Sequence, residues 1–401
     1  DLYRVIAVCD GGVGQAVSLG AQDDGQFFLR HKLGILHGNR VLLQGHSRRL
    51  EAQVPKSGHA LPGPLAGFLP QACPGDLEDR AHATLCALAV GDAMGMPTEF
   101  QPPEEIREFY GWVDTILAPD PRHYHYADMV RAQYTDDTEL SLEVLDAIVR
   151  CGGVSLESAV NALETWVKKY DVFNKSYLGP TSKKALEGIF AGQDPIVVGR
   201  EGTTNGAAMR ITPVGILNAG NPEQAALDAA KLCLPTHGSN RAMAGAGAVA
   251  AAVAEALSDN STMESVLDAA RRGAEIAEKQ GYNKGESRLL SLLDEMLKLS
   301  AETADDAAFL AEVFRKFEYT MDCEDTVAIV LAFFCRSKGD PMHAAILGAN
   351  MGGDTDTVGA LAAAIGGAYS GTAKLDMDLI RQIEEVNHVN FHEKAVSILN
   401  V

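Results

Sequence analysis

The chain has 401 residues, 46% of them hydrophobic and 22% charged, a length and balance that can bury a core without disulfide or metal staples. Its 34 Lys and Arg against 54 Asp and Glu leave a formal charge of −20. A field of that sign repels phosphate backbones and anionic lipid, which excludes non-specific nucleic-acid binding and a peripheral membrane role.

Residues 1–54 carry short apolar or alternating runs at 5–8, 26–29, 41–44 and 50–54, separated by Gly and Asp clusters, which predicts a small β-rich segment. Residues 55–76 contain Pro55, Pro62, Pro64, Pro70 and Pro74. Proline fixes φ and removes an amide donor, so this stretch is expected to be a linker. From 77 to 401 the apolar spacing is helical, and the segment is expected to be one all-α domain. Helices are predicted at 77–94, 140–149, 156–169, 224–232, 241–257, 265–279, 287–299, 307–316, 325–337 and 357–369. Those at 241–257 and 357–369 are almost wholly small residues, which suits helices packed tightly at the centre.

The cysteines, at 9, 73, 86, 151, 233, 323 and 335, are odd in number and form no Cys-x-x-Cys pair. Reduced thiols in a cytoplasmic protein are expected. The most apolar run, 242–254, is shorter than the roughly 20 residues that span a bilayer, and no signal-peptide pattern opens the sequence.

Two acidic segments interrupt the helical texture. Tyr134-Thr-Asp-Asp-Thr138 precedes one predicted helix, and Gly352-Gly-Asp-Thr-Asp-Thr357 precedes another. Asp and Thr are good N-caps and their charge suits the helix dipole, so capping is the plainest account. Capping needs only one such residue, however, and crowded carboxylates repel unless a cation neutralises them. Carboxylate and hydroxyl oxygens are the ligands of hard divalent ions. Three further segments stand out. Gly91 to Phe100 ends a helix with glycines, a proline and Glu99, and Gly202 to Arg210 offers backbone amides to an anionic or sugar ligand. Thr236-His237 opens a further helix.

Gly-Asp-x-x-Gly-x-Pro-x-Glu-Phe at 91–100, Thr-Asp-Asp-Thr at 135–138, Asn-Gly-Ala-Ala-Met-Arg at 205–210, Thr-His at 236–237 and Gly-Gly-Asp-Thr-Asp-Thr at 352–357 occur in that order. Together they resemble the ADP-ribosylglycohydrolase family, which includes dinitrogenase reductase-activating glycohydrolases and ADP-ribosyl-acceptor hydrolases. Residues 1–76 lie outside the likeness. The resemblance implies an all-α orthogonal helical bundle and two divalent cations, Mg²⁺ or Mn²⁺. Its metal-ligand positions fall on Thr135, Asp136, Asp137, Asp354, Asp356 and Thr357. The family's loop acid corresponds to Glu99, and the loop for the distal ribose and diphosphate to Gly202, Thr203, Thr204, Asn205 and Gly206, with His237 nearby. Thr203 stands where some relatives carry an aromatic, and Gly238 follows His237 where Ala is usual.

The activity implied is hydrolysis of the glycosidic bond at C1″ of ADP-ribose, with ADP-ribosyl-arginine on protein as the leading substrate. Cations would activate a water, and Asp354 or Asp356 would take its proton, or Glu99 would do so or position the leaving group. The alternatives are a hydrolase of another ribosyl conjugate or nucleoside in the same cleft, and a non-catalytic member like certain lens crystallins. Loss of metal ligands would mark the last, and all six are present.

Overall fold

The structure, a computed structural model, describes residues 77–175 and 178–401 in full, with the backbone of three strands before them. The chain divides into two units, residues 1–66 and 67–401, each considered by itself. In the first, Leu2–Ala7 pairs antiparallel with Gln15–Ala21, which pairs antiparallel with Phe27–Arg30. The remainder of the expected β-rich segment, and all of the linker at 55–76, fall outside the described residues.

The second unit holds the α-helices, 17 of them among the described residues. Every helix anticipated from the apolar spacing is present. Helices at Pro103–Tyr110, Pro180–Phe190, Pro195–Gly199, Thr212–Leu217 and Pro341–Asn350 were not anticipated, and each has proline at its first or second position. Proline is a breaker inside a helix but is pre-organised for its first turn. Two C-terminal helices, Met377–Asn387 and Phe391–Leu399, complete the unit. No helix among the described residues is long and apolar enough to cross a membrane. The described cysteines, Cys86, Cys151, Cys233, Cys323 and Cys335, are free thiols.

The core is built on small residues. Helix Leu77–Gly95 is buried without a break from Ala83 to Gly95, and helix Thr355–Ser370 is buried from Thr355 to Tyr369. The two lie backbone against backbone. A β-carbon on Gly91 would fall 2.2 Å from the Gly359 carbonyl oxygen, and one on Gly367 2.5 Å from the Ala83 carbonyl oxygen. Helix Pro341–Asn350 joins the same junction, where a β-carbon on Gly348 would fall 2.4 Å from Gly359 Cα. Only glycine permits such approach. The C-terminal end of the first helix and the N-terminal end of Thr355–Ser370 are thereby held together, and the acidic motifs sit at that end.

Candidate acidic site and ligand cleft

The acidic segments do not precede their helices, as the apolar spacing suggested, but supply the first turns. Asp136 opens helix Asp136–Cys151 with Thr135 at its N-cap, and Asp354 is the N-cap of helix Thr355–Ser370. Neither cap side chain makes a capping hydrogen bond. The carboxylates and hydroxyls face one another instead. Thr135 Oγ1 lies 3.4 Å from Asp356 Oδ2 and 3.5 Å from Asp137 Oδ2. Thr357 Oγ1 lies 3.3 Å from Asp137 Oδ2. Asp136, Asp137, Asp354, Asp356 and Thr357 line one cavity of about 80 Å³ together with Glu99. The structure therefore brings the six expected ligand positions to one place, from two stretches more than 200 residues apart.

Glu99 follows the short 3₁₀ turn Met96–Thr98, and the backbone beside it is anchored on both sides. Phe100 N donates to the Gly353 carbonyl at 2.8 Å, and Gly353 N donates to the Gln101 carbonyl at 3.2 Å. This places oxygens of Glu99, Asp354 and Asp356, all buried, within 4.8 Å of one another. Two carboxylate oxygens at the site, Glu99 Oε2 and Asp137 Oδ1, are buried with no hydrogen-bond partner. Among the described residues, no lysine or arginine pairs with any of these acids.

Burial raises every one of these carboxyls, because the charged form loses its hydration. Asp356 is pushed up to about 8, with repulsion from Asp354 adding to burial. Glu99, Asp136 and Asp137 are pushed well above the carboxylate range by burial and then by the Asp356 charge. Asp354 is also raised by burial, against the Asn205 amide, which holds its charged form. Unpartnered oxygens and repelling acids fit a cation, and an all-oxygen donor set fits a hard one.

The apolar spacing gave no role to Asp92, which organises one half of the site. It lies fully buried inside helix Leu77–Gly95 and accepts four hydrogen bonds, from Thr135 N (2.9 Å), Thr135 Oγ1 (2.9 Å), Thr138 N (3.0 Å) and Thr138 Oγ1 (2.6 Å). Burial and repulsion from Asp356 push it up to about 7. A lone acid inside an otherwise apolar helical run was the available signal. Tyr126, whose hydroxyl donates to Asp356 Oδ2 at 3.3 Å, carried none, since residues 111–135 show no periodic pattern.

The opposite wall of the cavity is Thr204, Asn205 and Gly206. This loop pairs with a second one: Asn205 N donates to the Met321 carbonyl and Cys323 N to the Thr203 carbonyl, each at 3.0 Å. Asn205 Nδ2 donates to Asp354 Oδ2 at 2.5 Å and to Thr326 Oγ1 at 3.1 Å, joining the loop to the acids. Gly202 and Thr203 do not line the cavity. The Gly202 carbonyl accepts from Ser239 Oγ at 2.5 Å, and a β-carbon on Gly202 would fall 2.2 Å from the Thr236 carbonyl oxygen. His237 stands behind the loop, fully buried, with Nε2 2.9 Å from Thr204 Oγ1 and Nδ1 2.8 Å from Thr236 Oγ1. Burial, then the Arg210 charge, pushes its imidazole down to about 3, so it is neutral. The buried Arg210 guanidinium donates to Thr236 Oγ1 and to the Gly206 carbonyl, both at 2.7 Å.

The sequence profile of the ADP-ribosylglycohydrolase family matches residues 74–399. A protein of Escherichia coli (strain K12), "Uncharacterized protein YegU", is 33% identical over 323 residues, covering 80% of this chain and 96% of its own. "ADP-ribosylarginine hydrolase Tri1" of Pseudomonas putida (strain GB-1) is 23% identical over 364 residues, covering 88% and 86%. A solved structure titled "ADP-ribosylglycohydrolase-related protein complex" superposes with a TM-score of 0.54 at 23% identity, covering 81% of this chain and 98% of that one, which shows the shared fold. The chain belongs to the ADP-ribosylglycohydrolase family.

Proposed function

We propose that this protein hydrolyses the C1″ glycosidic bond of an ADP-ribosyl conjugate, with ADP-ribosyl-arginine on protein as substrate and a binuclear Mg²⁺ or Mn²⁺ centre as cofactor. The observation that carries the reading is the mutually repelling cluster of buried Glu99, Asp137, Asp354 and Asp356 with half-buried Asp136, facing a loop anchored by Asn205. Thr135, Asp136, Asp137, Asp354, Asp356 and Thr357 would hold the cations, which when bound neutralise the cluster and acidify a water. The name of the P. putida relative supports arginine as the acceptor.

The chain's own groups divide the remaining work. Thr204, Asn205 and Gly206 face the cleft, where the loop's backbone and the Thr204 hydroxyl bind and orient the ligand. Asp354 Oδ2 is engaged by Asn205, and Asp356 by Tyr126 and by the amide of Thr357 at 2.8 Å. To Glu99, which lies outside the set that would hold the cations and keeps Oε2 without a hydrogen-bond partner, we assign the proton of the attacking water and its return to the leaving nitrogen. Water oxygen bonds to C1″, the C1″–N bond breaks with its electrons on nitrogen, and arginine leaves as guanidinium.

The test is release of free ADP-ribose from arginine-modified protein, from a serine-linked conjugate and from a nucleoside. Arginine conjugates should turn over with Mg²⁺ or Mn²⁺, and Asp354→Ala should abolish it. Full turnover by Asp354→Ala, or none by the wild type on any conjugate, overturns the proposal.

A further inference from the structure

We infer that Arg241 and Glu324, neither of which lines the acidic cavity, are positioning residues that fix the span of the loop facing it. The inference rests on the hydrolase reading above, in which Thr204 to Gly206 bind and orient the ligand, and it names what holds them in place.

Residues 202–204 belong to no helix or strand and are held from outside at two points. At one, the Gly202 carbonyl accepts from Ser239 Oγ at 2.5 Å, and Ser239 is the N-cap of helix Asn240–Ala256. At the other, the Thr203 carbonyl accepts from Cys323 N and Asn205 N donates to the Met321 carbonyl, both at 3.0 Å. Thr204 thereby pairs antiparallel with Asp322, the N-cap of helix Cys323–Arg336. The place of Thr204 over the acids follows from how these two helix starts stand to each other.

Arg241 ties the two starts together. It lies in the first turn of the helix that Ser239 caps, and its guanidinium reaches across to the other. Its Nε donates to Glu324 Oε2 at 2.6 Å and its Nη2 to Asp322 Oδ2 at 3.1 Å. One planar fork grips two carboxylates, a task that a single ammonium does not match. Glu324 is fully buried, and its Oε1 accepts from Ser287 Oγ at 2.6 Å and from Arg288 N at 2.8 Å. The exposed Arg288 guanidinium stands farther off, 3.7 Å from Glu324 and 3.8 Å from Asp322. Arg241 is thus the cation that keeps a buried carboxylate charged. A pair serving stability alone can often be exchanged for uncharged side chains of similar size without loss. A pair that sets the distance between two loop anchors cannot.

The experiment uses the full chain with Mn²⁺. It compares the wild type with Arg241→Met, with Arg241→Met combined with Glu324→Gln, and with Asp322→Asn. Each is read for melting temperature, for ADP-ribose affinity by calorimetry, and for kcat and KM on an arginine-linked conjugate. Arg241→Met strands the Glu324 charge and should lower both melting temperature and affinity. The double variant removes that charge and keeps an oxygen for Ser287 and Arg288, so its melting temperature should return toward the wild type's. Its ADP-ribose Kd and its KM should stay raised about tenfold, with kcat within about twofold. Asp322→Asn keeps a capping oxygen and loses the ion pair, and should weaken ADP-ribose binding by about threefold. Wild-type ADP-ribose affinity in the double variant, or in Asp322→Asn where the double variant fails to fold, overturns the positioning role. A wild type that binds ADP-ribose but cleaves no conjugate overturns the hydrolase reading, and the losses of binding in the variants then still support the role of Arg241.

Discussion

Gly95 and Asp356 touch through their backbones: a β-carbon on Gly95 would lie 2.5 Å from Asp356 Cα. Nothing flexible stands between them to yield. Gly95→Ala should therefore push the Asp356 turn away from Glu99 and Asp137. We expect a loss of about 1–3 kcal/mol in stability, as for an overpacked core, read as a lower denaturation midpoint. Mn²⁺ affinity should fall with it, and unchanged calorimetric binding would argue against this account.

Asp92 should act on metal binding without being a ligand. Asp92→Asn keeps the shape but turns two acceptor positions into donors facing the amide and hydroxyl of Thr138 or Thr135. The Thr135–Thr138 turn then loses its anchor. Supporting residues of this kind typically change metal affinity by about 10–100-fold when altered. A Mn²⁺ titration that matches the wild type would reject the role.

The metal-free protein should lose stability as pH rises. Asp356 at about 8 and Asp92 at about 7 stand above the roughly 3.9 of an unfolded aspartate. The folded chain thus holds more protons than the unfolded one between about pH 4 and pH 8, and the slope of stability with pH is negative there, by up to about 1.4 kcal/mol per proton per pH unit. Melting temperatures in EDTA should fall across this window. Excess Mg²⁺ or Mn²⁺ should raise them most at the alkaline end, because bound cations favour the charged carboxylates. A flat profile in EDTA would contradict the shifts.

His237 should give the opposite slope. Its imidazole is depressed to about 3 in the fold against about 6.5 unfolded, so its contribution is present above pH 6.5 and is lost as pH falls toward 3. His237→Asn should remove about one proton's worth of acid sensitivity from the stability curve over that range. An acid limb identical to the wild type's would show that the ring is solvated.

The legible part of this molecule was its amphipathic helices and its acidic motifs. Helices such as Leu156–Tyr170 and Met263–Glu278 present one apolar face and open with Ser or Thr capping boxes, so periodicity and cap agree. Five of the helices that escaped have proline at their first or second position, where the same residue that breaks a helix also starts one; Met377–Asn387 and Phe391–Leu399 escaped without that cause. At the site, Thr135, Asp136, Asp137, Asp354, Asp356 and Thr357 were visible because clustered acids are improbable as caps alone. Asp92 showed only as the Asp of the motif at 91–100 and Tyr126 not at all, because their importance lies in distant partners, Thr135, Thr138 and Asp356, that only the fold supplies. The roles expected of Gly202, Thr203 and His237 concern a ligand, whereas in the structure these residues shape the loop behind Thr204.

The glycine seam of Gly91, Gly348, Gly359 and Gly367 makes the spacing of the acids a property of covalent geometry. Where main chain rests on main chain, the separation equals the thickness of a peptide and has no rotamers through which to drift. Substitutions elsewhere in the core, at Leu85 or Ile365 for instance, can then change how tightly the domain holds together while leaving the gap between Glu99 and Asp356 as it was. Robustness and affinity become separately adjustable in this protein, except along the few positions of the seam itself, where one added methyl group alters both.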